Sequence, residues 1–524
     1  MLTLSAVLTV FLPLVLWRIQ KHNNNLKLMG NVPGIRPLFA PMSLLGAILP
    51  TAWWNPGMGW CWEWRETNYL NHSRDIISMV PTLFGRPALY IATVAAMKAF
   101  LEDERRIAME KPPELVASLT HWGDNVIAAS GNAWKRYRRI VSPAFNANTY
   151  QLVARESSAL YDEMVAAERW KNHIVIDDIN KITMRFALII ICRCGFGHPM
   201  QWKGAEDGDA VMGFPEALSI VSDTAIARLV LPSWAYSLPI KSLRRLDLAW
   251  RTVESFLQDL VVQKKAEVNA TGYDPDSQRG DIFTRLVEAH GERGKLSLSS
   301  SEVIGNTFSM MFAGHETTAR TLSGTLGFLA VHQEEQEKAV TEIMSVIADR
   351  QELHLDDIPR MKHLLACFYE TLRIFPAGVT LTRSMVDEHA IASTRPTQRS
   401  IPLRKENLVI IDMIGVHHDP ETFPEPETFR PSRWYDVLDQ DVSMFGLGPR
   451  ACVGRKFAQT EALCFLALFL RDWKVEPVLE GCESPADYER RVMTKACSPS
   501  LGFGVGSVKL MLVKREQLSV VQAD

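Results

Sequence analysis

The residues best equipped to do chemistry lie in one decapeptide near the C-terminus, Phe445-Gly446-Leu447-Gly448-Pro449-Arg450-Ala451-Cys452-Val453-Gly454. Its cysteine stands two residues after an arginine, in a loop punctuated by glycine, and the segment 455–473 that follows reads as a helix. A helix N-terminus favours negative charge and lowers a thiol pKa, so Cys452 suits a thiolate ligand to iron. Gly446, Gly448 and Gly454 permit tight turns and close approach to a flat macrocycle. Phe445 would shield the sulfur, and Arg450 would meet a carboxylate of that macrocycle. The competing reading is a buried structural cysteine, the common fate of an unpaired thiol.

Three further groups carry potential chemistry. In Ala313-Gly314-His315-Glu316-Thr317-Thr318 a glycine sits inside a helical pattern, at a cost of about 1 kcal/mol against alanine. Gly314 is therefore expected where a ligand approaches the backbone or where water enters a loosened turn. The Thr317 hydroxyl beside the Glu316 carboxylate has the make-up of a proton relay for dioxygen activation. The alternative is a packing glycine with incidental polar neighbours. Glu370 and Arg373 stand three apart on one helix face, by itself a commonplace surface pair. Trp134 and Arg138 stand four apart, and both can donate to a carboxylate. His417-His418-Asp419 has no third metal ligand at tight spacing and reads as an ordinary loop.

Positioning these groups calls for long helices. Ser299 and Glu302 make a capping box, and no proline follows until Pro359. A helix from Ser299 to about His332 would be roughly 50 Å long, the width of a domain, and is expected to cross the core. Segments 334–347 and 362–375 read as further helices, the second stopped by Pro376. Strand-like runs are short: 88–92, 408–413 and 508–513. A polar interruption covers 269–295. The fold class expected is mainly α with small β-sheets.

The 524 residues carry a net charge of −3 with 47% hydrophobic residues, so nothing points to nucleic acid. The eight cysteines lack the density of a disulfide framework, and all but Cys452 are expected to be packing residues in a reducing compartment. Leu2 to Trp17 is free of charge and is followed by Arg18, Lys21 and Lys27. Residues 1–17 therefore read as an uncleaved membrane anchor with the rest of the chain in the cytosol. A cleaved signal peptide would want its basic residues before the apolar run. Residues 18–55 read as a basic, proline-rich linker, with Trp53, Trp54, Trp60, Trp62 and Trp64 expected at the membrane–water interface. The globular domain is expected over 56–524. The sequons at Asn71 and Asn269 should be unused in a cytosolic domain.

The spacing F-x-x-G-x-R-x-C-x-G resembles the haem-binding loop of the cytochrome P450 family, and residues 313–318 resemble its A-G-x-[DE]-T-T motif. Four motifs in the family's order cover 134–454. The resemblance implies one large haem-binding domain, with haem b (iron protoporphyrin IX) between the long helix and the cysteine loop and Cys452 as axial iron ligand. It implies that Thr317 is the oxygen-activating alcohol and Glu316 its acidic partner, with Ala313 and Gly314 completing the motif. Trp134, Arg138, Arg383 and Arg450 would bind the propionates. Glu370, Arg373 and Arg433 would form a buried structural triad; Ser432 stands where the family commonly has Glu.

The implied reaction is monooxygenation, in which dioxygen, two electrons and two protons yield one substrate oxygen and one water. The chain has no convincing nucleotide-binding loop or flavin domain, so electrons are expected from the membrane-bound NADPH–cytochrome P450 reductase, with cytochrome b5 as an auxiliary donor. That places the protein at the endoplasmic reticulum membrane. By analogy, the pocket would draw on the segment before Trp134, on 214–240, Phe312, Ala313, 377–380 and 498–503. These stretches are largely apolar and suggest a lipophilic substrate. Segment 234–240 is expected to dip into the membrane.

The general flavour resembles fungal members that tailor secondary metabolites, which makes a terpenoid hydroxylase the leading reading. Sterol, fatty-acid and aromatic or xenobiotic hydroxylation are the alternatives. Reductase-independent isomerases and dehydratases often lose the acid–alcohol pair, which this chain keeps. A non-catalytic haem-binding protein would show decay in the ligand or relay motifs.

Overall fold

The computed structural model describes residues 2–69, 75–104, 108–203, 212–271, 281–291, 296–347, 350, 353–496 and 502–516. The sequon at Asn71, Cys497 and the pocket segment 498–501 lie outside the described residues. Helices of ten residues or more are α1 (Leu2–Leu28), α2 (Val94–Asp103), α3 (Gly131–Val141), α4 (Ala147–Glu168), α5 (Ile179–Ile190), α6 (Phe214–Val230), α7 (Lys241–Thr271), α8 (Ile282–Gly291), α9 (Ser300–Val331), α10 (Gln333–Ile347), α11 (Lys362–Ile374) and α12 (Arg455–Asp472). The strands are β1 (Gly34–Ile35), β2 (Ile76–Met79), β3 (Ala88–Ile91), β4 (Met109–Glu110), β5 (His173–Ile176), β6 (Thr380–Met385), β7 (His389–Ser393), β8 (Arg399–Leu403), β9 (Leu408–Asp412), β10 (Trp473–Pro477) and β11 (Leu510–Lys514). They form a six-stranded sheet in the order β1-β2-β3-β9-β6-β4, a three-stranded sheet β10-β11-β5 and the hairpin β7-β8. The fold is mainly α with small sheets, built as one large domain.

The long helix α9 starts at the expected capping box, with the Ser299 side chain accepting from the Glu302 N–H, and ends one residue before His332. It runs through the main apolar core, where Leu322 and Leu326 are fully buried. Helix α12 lies in the same core, with Phe465 packed on Phe186 of α5 at 4.7 Å between ring centroids. A second core lies under the six-stranded sheet, where Leu89, Ile91, Val409 and Ile411 meet Met97 and Phe100 of α2.

The N-terminal expectations need correction. Helix α1 does not stop at residue 17 but continues to Leu28, and Met29 and Val32 beyond it are buried in the second core. Residues 18–55 are therefore not a uniform linker. The charge-free run before Arg18 is about 24 Å long at ~1.5 Å per residue, short of the ~30 Å apolar thickness of a bilayer. No described helix is long and apolar enough to cross a membrane. Trp60 and Trp62 are core residues: Trp60 packs edge-on to Tyr90 at 5.0 Å, and Trp62 stacks on Phe375 at 4.7 Å. Of the five tryptophans placed at an interface, Trp53 is the exposed one, at 87%.

Two other readings change. The apolar patch inside 269–295 is the helix α8, and Asn269 lies in the last turn of α7. Cys482 is exposed rather than packed.

Candidate functional site

The cysteine loop is built from local turns that only glycine makes easily. Gly446 and Gly448 adopt φ of +73° and +71°, in the left-handed region that penalises side chains. At Gly448 a Cβ would also stand 2.7 Å from the Leu101 carbonyl oxygen. The Cys452 N–H donates to the Phe445 carbonyl at 2.8 Å, which folds the loop back on itself two residues before Gly454 caps α12. Cys452 is accessible, whereas Cys61, Cys192, Cys194, Cys367 and Cys464 are buried. Dense protein around the rest of the side chain pushes the thiol pKa up. The Gly454 N–H and the charges of Arg138 and Arg455 act in the other direction. The helix terminus alone led to the opposite expectation; desolvation outweighs it here.

Three cationic or donor groups from distant elements, Arg383, Arg138 and Trp134, join Arg450 of the loop itself. Arg383 on β6 is buried, and its Nε and Nη2 donate to the two oxygens of Glu104 at 2.9 and 3.0 Å. Arg450 places its Nε 3.0 Å from the same carboxylate and donates from Nη1 to the Ala129 carbonyl at 2.8 Å. Its guanidinium lies 4.5 Å from the Trp134 ring centroid. Burial and the neighbouring Arg383 lower the Arg450 pKa to about 10, with Glu104 opposing. On α3, the half-buried Arg138 guanidinium makes no hydrogen bond or ion pair with the described residues. Burial lowers its pKa, and Cys452 is the opposing charge.

This donor set fits a haem. One accessible sulfur faces a cationic neighbourhood that holds more positive charge than Glu104 neutralises. A Cβ at Gly454 would sit 3.6 Å from the Phe145 ring and 4.0 Å from the Cys452 sulfur, so glycine keeps that side of the sulfur open.

On α9 the hexapeptide divides its tasks. Gly314 does not open the backbone to a ligand: a Cβ there would lie 2.7 and 2.8 Å from Cγ1 and Cδ1 of Ile191. Ile191 begins the π-helical end of α5, so Gly314 is where two helices pack closely. Thr317 Oγ1 donates to the Ala313 carbonyl at 3.0 Å. The buried Glu316 carboxylate turns elsewhere, accepting from Arg320 Nε and Nη2 at 3.0 and 2.9 Å. Glu316 lines a cavity of about 900 Å³ together with Asp223, His315, Arg320, Lys181 and Lys495. Burial and repulsion from Glu316 raise the Asp223 carboxyl pKa, and Arg320 opposes them. The C-terminal segment Gly502-Phe503-Gly504 covers the pair. A Cβ at Gly502 would come 2.6 Å from the Glu316 carboxyl carbon, and one at Gly504 2.8 Å from the Arg320 Cβ.

The structure also brings Glu370, Arg373 and Arg433 together. Glu370 and Arg373 are fully buried and form a bidentate pair, both bonds at 2.9 Å. Arg433 Nε reaches Glu370 Oε1 at 3.2 Å. Arg373 Nη1 donates to the His417 carbonyl at 2.9 Å, which ties α11 to the end of the short helix Met413–His417. Two partners escaped sequence reasoning: the Trp434 indole N–H, 2.8 Å from Glu370 Oε2, and the Arg430 N–H, 3.0 Å from Oε1. His417 is held between the Met413 carbonyl and Ser443, and Asp419 pairs with Arg395.

Glu104 and Arg320 were likewise missed. Arg320 had a readable signal, four residues beyond Glu316 on one helix face. Glu104 had none, because its partners are about 280 and 350 positions away in the chain.

Comparison with known proteins agrees with this arrangement. The family model described as Cytochrome P450 matches residues 79–502. Cytochrome P450 monooxygenase 124 of Postia placenta is 30% identical over 475 residues, covering 88% of this chain and 89% of that protein. Cytochrome P450 monooxygenase prx9 of Penicillium rubens is 26% identical, covering 84% of this chain and 83% of its own length. Cytochrome P450 4F5 of Rattus norvegicus is 28% identical, covering 75% of this chain and 76% of its own length.

Proposed function

This chain belongs to the cytochrome P450 family, and on that premise we propose that it hydroxylates a terpenoid or related lipophilic secondary metabolite. It is a P450 monooxygenase whose cofactor is haem b. The observation that carries the site assignment is the gathering of Arg450, Arg383, Trp134 and Arg138 around the loop of Cys452. Cys452 would hold the iron, and Phe445 and Gly454 flank Cys452 in the loop. The four donors take the propionates. Bound haem supplies the activation of dioxygen.

The protein's own residues then orient substrate, exclude water and move protons. Thr317 is the alcohol of the relay, and Glu316, which lines the cavity it shares with Asp223 and Arg320, is its source of protons. By the family resemblance Ala313 and Phe312 face the substrate; Phe308 and Phe312 are buried apolar residues, and Trp122 packs on Phe308 at 4.5 Å. An apolar wall without a counter-charge favours a neutral, lipophilic substrate. The triad Glu370–Arg373–Arg433 ties α11 to His417 and to the segment 425–434 and has no chemical step of its own.

Electrons come from NADPH–cytochrome P450 reductase, with cytochrome b5 as auxiliary donor. The protein sits on the endoplasmic reticulum membrane with its catalytic domain in the cytosol. The exposed apolar residues Leu12, Leu14, Leu16 and Trp17 of α1 favour this location, as do Trp53, Trp234 and Ile240. Sterol, fatty-acid and aromatic substrates remain the alternatives.

Co-expression with a reductase in yeast, feeding a terpenoid, sterol, fatty-acid and aromatic panel, tests the reading. A reductase-dependent product one oxygen heavier from a terpenoid supports it. A product from another class only would overturn the substrate assignment.

A further inference from the structure

We propose that Glu104 is a positioning residue for the haem propionates, fixing Arg383 and Arg450 by their Nε edges so that their remaining N–H groups face the two carboxylates. This rests on the assignment of those arginines as propionate donors. A guanidinium carries five N–H groups in a rigid fork. Arg383 spends Nε and one Nη2 hydrogen on Glu104, and one Nη1 hydrogen on the Thr382 carbonyl at 2.9 Å. Arg450 turns Nε to Glu104 and Nη1 to Ala129, while Trp134 supports its flat face. Both forks are thereby held in one rotamer with N–H groups to spare.

The charge balance points the same way. Glu104 is one carboxylate among Arg383, Arg450 and Lys111. Burial and the two guanidiniums push the Lys111 amine down to about 7, with Glu104 alone opposing. A cluster this rich in positive charge is stable only with further anions in contact, and a haem brings two. Glu104 stands at the end of α2, whose Phe100 and Leu101 are anchored in the sheet core, so the carboxylate sits on a rigid support.

The full-length holoenzyme carries the test. Glu104→Gln keeps the shape of the side chain and removes its charge. Haem loss to an excess of scavenging apomyoglobin should be about tenfold faster than in the parent, since hydrogen bonds between charged groups are each worth that order. Glu104→Asp, which keeps the charge but shortens the reach, should lose haem at a rate between the two. The ferric/ferrous potential of Glu104→Gln should rise, because an anion near the haem has been removed; a merely structural carboxylate would leave it unmoved.

Unchanged or slower haem loss in Glu104→Gln overturns the proposal, slower loss meaning that Glu104 competes with the propionates. Arg383→Lys is run in parallel. Accelerated loss there with none in Glu104→Gln removes only the role of Glu104. No change in either removes the propionate assignment as well. Should Glu104→Gln fail to accumulate, Glu104→Asp is read alone: its shortened reach must speed haem loss measurably, and parental retention overturns the proposal.

Discussion

Arg320 reaches back one turn along α9 to hold the Glu316 carboxylate through two hydrogen bonds, at 3.0 and 2.9 Å, at the edge of a polar cavity. The proposed acid of the relay is therefore held by a fixed cation on its own helix. Arg320→Ala should free that carboxylate and lower the product formed per NADPH several-fold, with the excess appearing as hydrogen peroxide. Arg320→Lys should fall between the two. Full coupling in Arg320→Ala would remove the arginine from the relay.

Thr317→Ala should uncouple more severely than Arg320→Ala while leaving the haem spectrum and fold intact, because among the described residues its hydroxyl bonds the Ala313 carbonyl of its own helix and no other group. NADPH consumption, product and peroxide measured together check this. A fully coupled Thr317→Ala enzyme would show that another group delivers the proton.

Glu370→Gln or Arg373→Ala leaves a buried charge without its partner, at a cost of roughly 3–5 kcal/mol. The expected outcome is loss of haem-loaded protein on expression, since Arg373 also carries the His417 carbonyl. Soluble yield and haem content measured against the parent decide it. Normal yield and haem content would mean that the Trp434 and backbone partners suffice.

Gly314→Ala should destabilise by about 1–3 kcal/mol, because the new methyl meets Ile191 inside 3 Å. Ile191→Ala removes the two colliding carbons, so the double variant should recover part of the loss. Thermal unfolding of the four proteins forms a cycle. Strict additivity would show that the two sites do not touch.

Asp412 gives the folded protein a distinct pH dependence. It caps the short helix Met413–His417, accepting from the Gly415 N–H at 3.0 Å and from the Tyr69 hydroxyl at 2.9 Å. Burial nonetheless raises its pKa to about 6, against ~3.9 for a free aspartate. Between these values the native state binds more protons than the unfolded one, so stability falls as pH rises through that window. The contribution is complete below about pH 4 and is lost above about pH 6, amounting to about 3 kcal/mol. Asp412→Asn keeps a capping side chain without the titration. Unfolding followed from pH 4 to 7 should show the parent losing stability relative to this variant; parallel curves would place the titration elsewhere.

Much of the site was legible because its signals are local. Cys452 and its glycines, Glu316 with Thr317, and Glu370 with Arg373 are each spaced within one loop or one helix turn. The capping box at Ser299 set the start of α9 for the same reason. Misreadings arose where one element meets another. Gly314 looked like a ligand approach because nothing in its own helix names Ile191, and Trp60 and Trp62 looked interfacial because their neighbours Tyr90 and Phe375 are distant in sequence.

From the sequence by itself came the cysteine loop, the relay hexapeptide, the long helices and the mainly α class, since periodicity, capping and motif spacing are written in neighbouring residues. Only the tertiary structure decided that Gly502 and Gly504 cover the Arg320–Glu316 pair, that Trp434 completes the Glu370 network, and that Glu104 joins Arg383 to Arg450. Those contacts link residues up to hundreds of positions apart, and such pairings exist only once the helices and sheets have packed.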